Sequence, residues 1–295
     1  MTHLRTTLAD ADLSKVPPRR RGRFHVGFFL VSVIVFVIAV VMVAPLIWLI
    51  STSLTAPEGA FQLPPNWLPN PFSASNFGEV FILIPFWHMA ANSLIVATIA
   101  TVGSLLTSIL AAYAFSRLTF KGSRFFFVGM LSALMVPAQL TIIPVFIIMK
   151  NLHLIDTLAA LWLPALINVF AIFFLRQYFN SIPRDLDDAA NIDGAGHLWI
   201  LFRMIVPLSS PAISALIILN FQASWNDYFN PLIFITSTDN MTLPLGLVSL
   251  SAGQGGGPAV VVFAGITLVV LPVLILFLLF QRAFVSSVAA SGIRG

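Results

Sequence analysis

The feature that most constrains this chain is a series of six long apolar runs. Each holds about 18–25 residues, close to the number that an α-helix needs to cross the hydrocarbon core of a bilayer. The runs span residues 26–50, 92–115, 125–149, 158–175, 205–224 and 258–280. None of them alternates apolar and polar residues with a period of two, as the strands of an outer-membrane barrel do. The sequence therefore predicts an all-α integral membrane protein with six transmembrane helices.

The composition agrees with this prediction and limits the chemistry. Charged residues make up only 9% of the chain, whereas a soluble domain carries about a quarter. The absence of cysteine excludes disulfides, thiol catalysis and thiolate-bound metals. The five histidines are too scattered for a metal site, and the apolar runs hold no nucleophile or paired acids at one depth. We therefore expect no catalytic residue and no metal site, which argues against a membrane-embedded enzyme.

The basic residues predict the orientation in the membrane. Fourteen of the 15 Lys and Arg residues lie in or beside the amino-terminal tail 1–25, the second and fourth connections, and the carboxyl-terminal tail 283–295. The loop 51–88 and the fifth connection 225–257 carry none. By the positive-inside rule, both tails are cytoplasmic and these two connections are extracytoplasmic. The basic tail is explained by attraction to anionic membrane lipid, so no nucleic acid partner is expected.

A polar island at residues 177–204 separates the fourth run from the fifth. It contains four aspartates, Asp185, Asp187, Asp188 and Asp193. Each would cost about 2.5–3.5 kcal/mol at the centre of a membrane helix. The island is therefore predicted to lie outside the bilayer, and the charge distribution places it on the cytoplasmic side.

Local physics predicts a helix-turn-helix within the island. Pro183 suits the first position of a helix that ends near Ile192, and aspartates in its early turns interact favourably with the helix dipole. Gly194 suits the left-handed residue that ends such a helix. A second amphipathic helix is predicted from His197 towards Val206.

Two interpretations of the island are compatible with these local properties. The small side chains of Ala189 and Ala190 would allow a partner protein to pack closely against the first helix. Alternatively, the acids only keep a connecting loop out of the lipid.

The island resembles the cytoplasmic signature loop of ABC importer permeases. In that family Glu-Ala-Ala is followed after two residues by Asp-Gly-Ala, and later by a hydrophobic stretch that ends in proline. The matching residues are Asp188, Ala189, Ala190, Asp193, Gly194, Ala195 and Pro207. Asp188 replaces the usual glutamate and is one methylene shorter. The resemblance implies that these residues, with Asp185, form a coupling loop that docks onto an ATPase.

The resemblance covers nearly the whole chain and is closest to the carbohydrate-uptake, MalG-like permeases. Matching segments include Pro45-Leu46-Ile47-Trp48, Asn92-Ser93-Leu94, Ala111-Ala112-Tyr113-Ala114-Phe115, Trp225-Asn226-Asp227 and Thr242-Leu243-Pro244-Leu245-Gly246. It implies the ABC type I importer permease fold, with a core transmembrane domain at 89–282. The implied function is ATP-driven import of a sugar or sugar-like solute across a bacterial plasma membrane.

The resemblance also implies the partners. They are a second homologous permease subunit, forming a heterodimer with this chain, two ATP-binding subunits, and an extracytoplasmic solute-binding protein. ATP and Mg are then used by the ATP-binding subunits, and this chain binds no cofactor. In agreement, its glycine cluster at 253–257 lacks the following lysine of a phosphate-binding loop.

Candidate residues for the substrate path lie at the outer end of the fifth run. They are Asn220, Gln222, Ser224, Asn226 and Asp227. Asn and Gln also join helices within membranes, so pore-facing and helix-joining roles both remain open for Asn220 and Gln222. Trp225 and Tyr228 are more typical of residues at the lipid interface.

The prolines predict irregular backbone. Pro137, Pro144, Pro164 and Pro272 lie within apolar runs, where each removes a backbone donor and tends to kink a helix. The first outer loop is predicted to be extended, because it contains Pro57, Pro64, Pro65, Pro69 and Pro71.

A secondary transporter of a small polar solute is the alternative function, since six helices with one polar outer end fit it too. Coupling to an ion gradient usually requires a buried acid or a broken helix. No acidic or basic residue lies deep in any run, and no repeat halves are visible. The sequence thus favours the ATP-driven importer.

Overall fold

The computed structural model describes residues 26–62, 66–251 and 258–292. The basic tail 1–25 and the glycine cluster 253–257 lie outside the described residues. No β-strand occurs in the described ranges. The first seven helices are α1 (Val26–Ser53), α2 (Ser75–Leu83), α3 (Phe86–Arg117), α4 (Ser123–Ser132), α5 (Ile142–Asn151), α6 (Ala159–Trp162) and α7 (Val169–Ser181). The remaining helices are α8 (Asp185–Ile192), α9 (His197–Ile200), α10 (Val206–Leu208), α11 (Ser210–Trp225), α12 (Phe229–Phe234), α13 (Leu243–Ser251) and α14 (Ala259–Gly292).

Four helical segments are long and apolar enough to cross a membrane by themselves. They are Phe29–Ser53, Phe86–Arg117, Ala159–Ser181 and Ala259–Leu279. Two bent pairs, Ser123–Met135 with Ala138–Asn151 and His197–Leu208 with Ser210–Trp225, raise the number to six if each pair is one span. The all-α membrane fold is confirmed, but the third and fifth runs are not single straight helices.

The third run bends by 98° between its two halves. Val136 and Pro137 are extended there, with ψ angles of 117° and 133°. Proline disfavours helical geometry in the residue before it and cannot donate its own backbone hydrogen bond, which explains the break. Pro144 produces no break, because it lies in the first turn of α5, where a missing donor costs little.

The sequence predicts that the helix of the fifth run starts at Ile205, but α11 starts at Ser210. The chain turns by 79° between Leu208 and Ser210. Pro211 lies in the first turn of α11 and cannot bond back into the preceding helix. The apolar residues before Ser209 therefore belong to the second helix of the polar island, which reaches Leu208 instead of ending near Val206.

The prediction of an extended first outer loop is wrong for its second half. The nine-residue helix α2 lies there, and its Asn76 and Val80 are buried. Pro57, Pro64, Pro65, Pro69 and Pro71 all lie before Phe72, so they do not restrict the backbone of α2. At the other end of the chain, α14 continues to Gly292 through most of the predicted tail 283–295.

The unit from Leu49 onwards is organised around α3. This helix packs against α7 and α11. A hydrophobic cluster near its carboxyl-terminal end joins α3, α7, α8 and α11 through residues such as Leu105, Leu175, Ala190 and Leu216. The first helix of the polar island is therefore anchored to the packed core through Ala190.

Candidate functional site

The local structure of the polar island agrees closely with the sequence. The first helix, α8, carries Asp185, Asp187 and Asp188 in its first turn. Gly194 follows it with a φ angle of +81°, so the predicted left-handed turn is confirmed. Pro183 was predicted to open this helix, but the helix starts at Asp185 with Arg184 as its N-cap.

The second helix of the island begins at His197, as predicted. It contains a π-helical turn at Leu201–Ile205 before it ends at Leu208. Ile200, Leu201 and Ile205 are buried, so one face of this helix packs into the core.

The coupling residues inferred from the family resemblance divide between two environments. Ala190 is buried, and it packs in the cluster with Phe179 and Ile200. Ala195 is half-buried. The others are exposed, namely Asp185, Asp188, Ala189, Asp193, Gly194 and Pro207. The exposed members thus leave one side of α8 and its turn open to a partner.

A surface groove of about 650 Å³ lies beside this exposed side. Its walls include Leu186, Ala189, Asp193 and Trp199. Ile192 lies at the end of α8 and is 87% exposed. The surface therefore combines apolar side chains with carboxylates, a composition suited to contact with another protein.

The opposite side of α8 is fixed to the membrane helices by an ion pair. Asp187 Oδ2 lies 3.2 Å from Arg117 Nε. The Asp187 and Arg117 side chains are only 14% and 5% exposed. Arg117 Nη2 also donates hydrogen bonds to the carbonyl oxygens of Phe179 and Ile182, at 3.0 and 2.9 Å. One guanidinium group therefore contacts α8 and the end of α7 from the end of α3.

Two further arginines bind carbonyl oxygens at the end of α3. Arg184 Nη2 donates to Ser116 O at 2.9 Å, and Arg176 Nε donates to Phe115 O at 3.1 Å. These carbonyls belong to the last turn of the helix, which has no intrahelical donors for them. Positive charge is also favourable at this end of a helix dipole.

Sequence reasoning missed the roles of Arg117 and Asp187. It counted Arg117 only as a topology signal and Asp187 only as one of four acids. A signal was present in the spacing, because Asp187 lies three residues before Ala190 and therefore shares its helix face. The partner of Asp187 could not be read from the sequence, since Arg117 is remote along the chain.

The candidate path residues do not converge on one site in this subunit. Asn220 Nδ2 donates to Ser104 Oγ at 2.8 Å, and Asn220 Oδ1 accepts from Asn168 Nδ2 at 3.1 Å. Asp227 accepts two hydrogen bonds from Asn230, from its backbone N and its Nδ2. Gln222 and Asn226 are exposed, while Ser224 is half-buried.

Trp225 does not lie at a lipid interface, contrary to the prediction. It is 2% exposed, it stacks on Phe221, and its Nε1 donates to Val269 O at 3.1 Å. Tyr228 is half-buried and packs against the cluster that contains Phe234.

A second polar contact that the sequence did not reveal is made by Asp156, which lies in the connection from α5 to α6. Asp156 Oδ1 accepts hydrogen bonds from the backbone N of Thr236 and from the backbone N and Oγ of Ser237, each at 2.9 Å. The Ser237 and Thr236 backbone bonds lower the pKa of the Asp156 carboxyl below its ordinary value of 3.8. Asp156 thus fastens the connection before α6 to the segment after α12.

Within the described residues, no group of three or more His, Asp or Glu side chains is arranged to hold a metal ion. The site that the geometry defines is the exposed side of α8 and its turn, backed by buried arginine contacts.

Several known proteins resemble this chain. Residues 103–290 match the family described as binding-protein-dependent transport system inner membrane component. The arabinooligosaccharides transport system permease protein AraQ of Halalkalibacterium halodurans is 36% identical over 77% of this chain and 81% of its own length. The probable ABC transporter permease protein YurM of Bacillus subtilis is 33% identical over 95% of this chain and 93% of its own length.

One solved structure extends the similarity to the fold. It is the crystal structure of a bacterial ABC transporter involved in the import of the acidic polysaccharide alginate. Its matching chain has a TM-score of 0.76 and 25% sequence identity, and the match covers 89% of the present chain and 100% of that chain.

Proposed function

Because the chain belongs to the family of binding-protein-dependent transport system inner membrane components, the permease subunits of ABC importers, we propose that it conducts a sugar or sugar-like solute into the cytoplasm. A permease subunit is not itself an enzyme, and ATP is hydrolysed by a separate subunit. Membership of this family argues against the alternative function, a secondary transporter of a small polar solute.

The sugar class is supported by the names of two similar proteins. One is a permease of an arabinooligosaccharide transport system, and the other belongs to a transporter involved in the import of alginate. Both cargoes are saccharide polymers. A sugar oligomer is therefore the first solute class to test with this chain.

The coupling element of the proposal is α8 with the Gly194 turn. Its exposed side, formed by Asp185, Asp188, Ala189, Asp193 and Gly194, docks into a groove of an ATP-binding subunit. The small side chain of Ala189 allows close backbone approach, and the carboxylates pair with basic groups or hydrogen-bond donors there. The single observation that carries this assignment is the two-sided environment of α8, anchored on one side and open on the other.

The assembly in the proposal contains a second permease, two ATP-binding subunits that use ATP and Mg, and an extracytoplasmic solute-binding protein. Closure of the ATP-binding subunits moves α8 and, with it, the helices of the permease. The α8 side of the protein and both termini are cytoplasmic, an orientation that rests on the distribution of Lys and Arg.

The substrate path belongs to the same proposal. Gln222 and Asn226 are exposed in this subunit and face the pathway between the two permeases, with Ser224 and Asp227 beside them. Asn220 instead holds helices together, because both ends of its amide group are bonded to Ser104 and Asn168.

The coupling assignment is tested by co-purification. Ala189→Trp should prevent the ATP-binding subunit from co-purifying and should abolish ATP-dependent uptake, because the larger side chain blocks the close approach. Ala74→Trp is the matched control, since Ala74 is an exposed alanine before α2 and should leave co-purification intact. Normal co-purification and uptake with Ala189→Trp would overturn the assignment.

The solute class is tested in proteoliposomes that contain all four kinds of subunit. ATP-dependent uptake of labelled oligosaccharides is compared with uptake of labelled amino acids and peptides. Uptake of a saccharide alone supports the proposal, whereas uptake of an amino acid or peptide alone contradicts it.

A further inference from the structure

We infer that the buried ion pair between Arg117 and Asp187 is the connection through which movement of α8 reaches α3 and α7. The inference rests on the proposed function, because it requires that the ATP-binding subunits act on α8. It assigns Asp187 and Arg117 as positioning residues, since neither needs to touch the ATP-binding subunit or the solute.

The first step of the argument is the dependence of α8 on its contacts. The helix has only eight residues, and isolated helices shorter than about 12–15 residues are marginal in water. Its orientation must therefore be set by what it packs against. On its inner side these contacts are Ala190, which lies in the apolar cluster, and the Asp187 carboxylate, which meets Arg117.

The second step is the geometry of Arg117. This residue ends α3, and its Nη2 donates to the Phe179 and Ile182 carbonyls at the end of α7. Its Nε faces Asp187 of α8 at 3.2 Å. The guanidinium group is planar and presents its donors in a rigid fork. Three helices therefore meet at one group with little freedom to bend.

The third step is the contrast between neighbouring acids. Asp188 follows Asp187 but is exposed, because successive residues of a helix point in different directions. The Asp187 carboxylate is instead buried, and neither of its oxygens accepts a hydrogen bond from the described residues, so its contact with Arg117 Nε is an ion pair without hydrogen-bond geometry. A buried carboxylate with so few partners depends strongly on its counter-charge. The Asp187 side chain is therefore held in place mainly by Arg117.

The fourth step concerns what remains when the pair is broken. Arg184, the N-cap of α8, still donates a hydrogen bond from Nη2 to Ser116 O in α3. Ala190 still packs in the apolar cluster. At the other end of α8, a Cβ at Gly194 would meet no atom within 4 Å. The helix would then stay attached near Arg184 but could tilt at its far end. Movement of the ATP-binding subunit would tilt α8 without displacing α3 and α7.

The test uses the assembled transporter in proteoliposomes and measures uptake per ATP hydrolysed. We expect Asp187→Asn to retain co-purification of the ATP-binding subunit and to hydrolyse ATP. Uptake per ATP should fall at least about fivefold, the lower end of typical couplings between sites. Asp187→Glu keeps the charge and should recover part of the ratio. Asp239→Asn, at an exposed aspartate remote in sequence from α8, is the matched control and should keep the full ratio.

A second variant keeps the test decisive if Asp187→Asn folds poorly. Arg117→Lys keeps the positive charge but cannot contact Asp187 and both carbonyls with one planar fork. It should also reduce uptake per ATP, whereas Arg124→Lys, at an exposed arginine, should not.

A distance measurement reports the rigidity directly. The chain has no cysteine, so spin labels can be attached at Asn191→Cys on α8 and Thr119→Cys just after α3, both at exposed positions. With the pair intact, the label distance should stay narrow and unchanged when ATP is added. In Asp187→Asn it should broaden or shift.

The outcomes separate this inference from the proposed function. Unchanged uptake per ATP and an unchanged label distance in Asp187→Asn would overturn the inference. Loss of the ATP-binding subunit from Asp187→Asn would also overturn it, because the pair would then be needed only for assembly. Failure of the proposed function has a different signature, normal co-purification and uptake with Ala189→Trp.

Discussion

Asn220 Nδ2 donates a 2.8 Å hydrogen bond to Ser104 Oγ, which joins α11 to α3 inside the transmembrane region. The other end of the same amide accepts from Asn168, the N-cap of α7, whose own Oδ1 accepts from Ala171 N at 3.0 Å. Asn168 is extended, with φ and ψ of −110° and 101°, and it lies between α6 and α7, after a 3₁₀ turn at Pro164–Leu166. Such an interruption leaves backbone groups that must be satisfied within the protein, and the bond from Ala171 N to Asn168 Oδ1 satisfies one of them.

The role of Asn220 is tested by comparison with Gln222. We expect Asn220→Ala to lower the free energy of unfolding of the purified protein by about 0.6–1.7 kcal/mol for each interhelical hydrogen bond lost, and so to lower its melting temperature. The KM for uptake should stay unchanged. Gln222→Ala should leave stability unchanged and raise the KM, because Gln222 is exposed and is assigned to the solute path. The opposite pattern, an unchanged melting temperature with a raised KM for Asn220→Ala, would place Asn220 in the path.

The Gly194 turn is tested by two substitutions that differ in backbone preference. The φ angle of +81° costs an ordinary L-residue about 1–2 kcal/mol, while asparagine tolerates it better. A Cβ at this position would meet no atom within 4 Å, so the cost comes from the backbone alone. Uptake should therefore decrease in the order glycine, Gly194→Asn, Gly194→Ala.

The control for this series is Gly129→Ala in α4. A Cβ there also meets no atom within 4 Å, but the backbone is helical. Uptake should be retained in this variant. Equal uptake in Gly194→Ala and Gly129→Ala would contradict a requirement for the left-handed turn.

The contact of Asp156 predicts a pH dependence of stability. Its pKa is lowered in the folded protein by the backbone hydrogen bonds of Ser237 and Thr236. Its contribution is therefore present at pH values above the ordinary pKa of an aspartate, about 3.9. That contribution is lost as the pH falls through the lower folded value, because the protonated carboxyl is a weaker acceptor. The melting temperature of Asp156→Asn should lie below that of the unmodified protein at pH 6.

The two melting temperatures should converge as the pH falls from about 4 through the lowered pKa of Asp156 in the folded protein, where its carboxyl becomes protonated. Asp239→Asn is the matched control, because Asp239 is exposed and belongs to the same segment after α12. A difference between Asp156→Asn and the unmodified protein that stays constant from pH 6 to pH 3 would show that the carboxylate charge is not responsible.

The positions of the membrane segments were largely predictable, but their interruptions were not. The apolar length of the run 125–149 predicted a membrane segment there, and Pro137 predicted irregular backbone within it. The structure has a bent pair of helices at this position, with the bend beside Pro137. Pro144 carries the same chemistry and causes no break, since it lies in the first turn of α5. Whether a proline interrupts a helix depends on where the helix starts, and that start is set by packing against other segments.

The polar island also shows which structural features cannot be predicted from the sequence, here within a single helix. The turn at Gly194 and the helices on both sides follow from the local preferences of proline, aspartate and glycine. The inward orientation of Asp187 beside the outward orientation of Asp188 does not follow from composition. It follows from the burial of Ala190 on the same helix face, which only the packing of α8 into the apolar cluster with residues such as Phe179 and Ile200 establishes.

Membrane insertion and the number of apolar segments can be read from the sequence alone, and the four aspartates predict that residues 177–204 lie outside the lipid. These properties are sums of local transfer free energies and backbone preferences, and each residue contributes to them independently of the fold. The pairing of Arg117 with Asp187 and of Asn220 with Ser104 and Asn168 required the tertiary structure. Each of these contacts joins residues far apart in the chain, and its formation depends on the angles and depths at which α3, α7, α8 and α11 pack together.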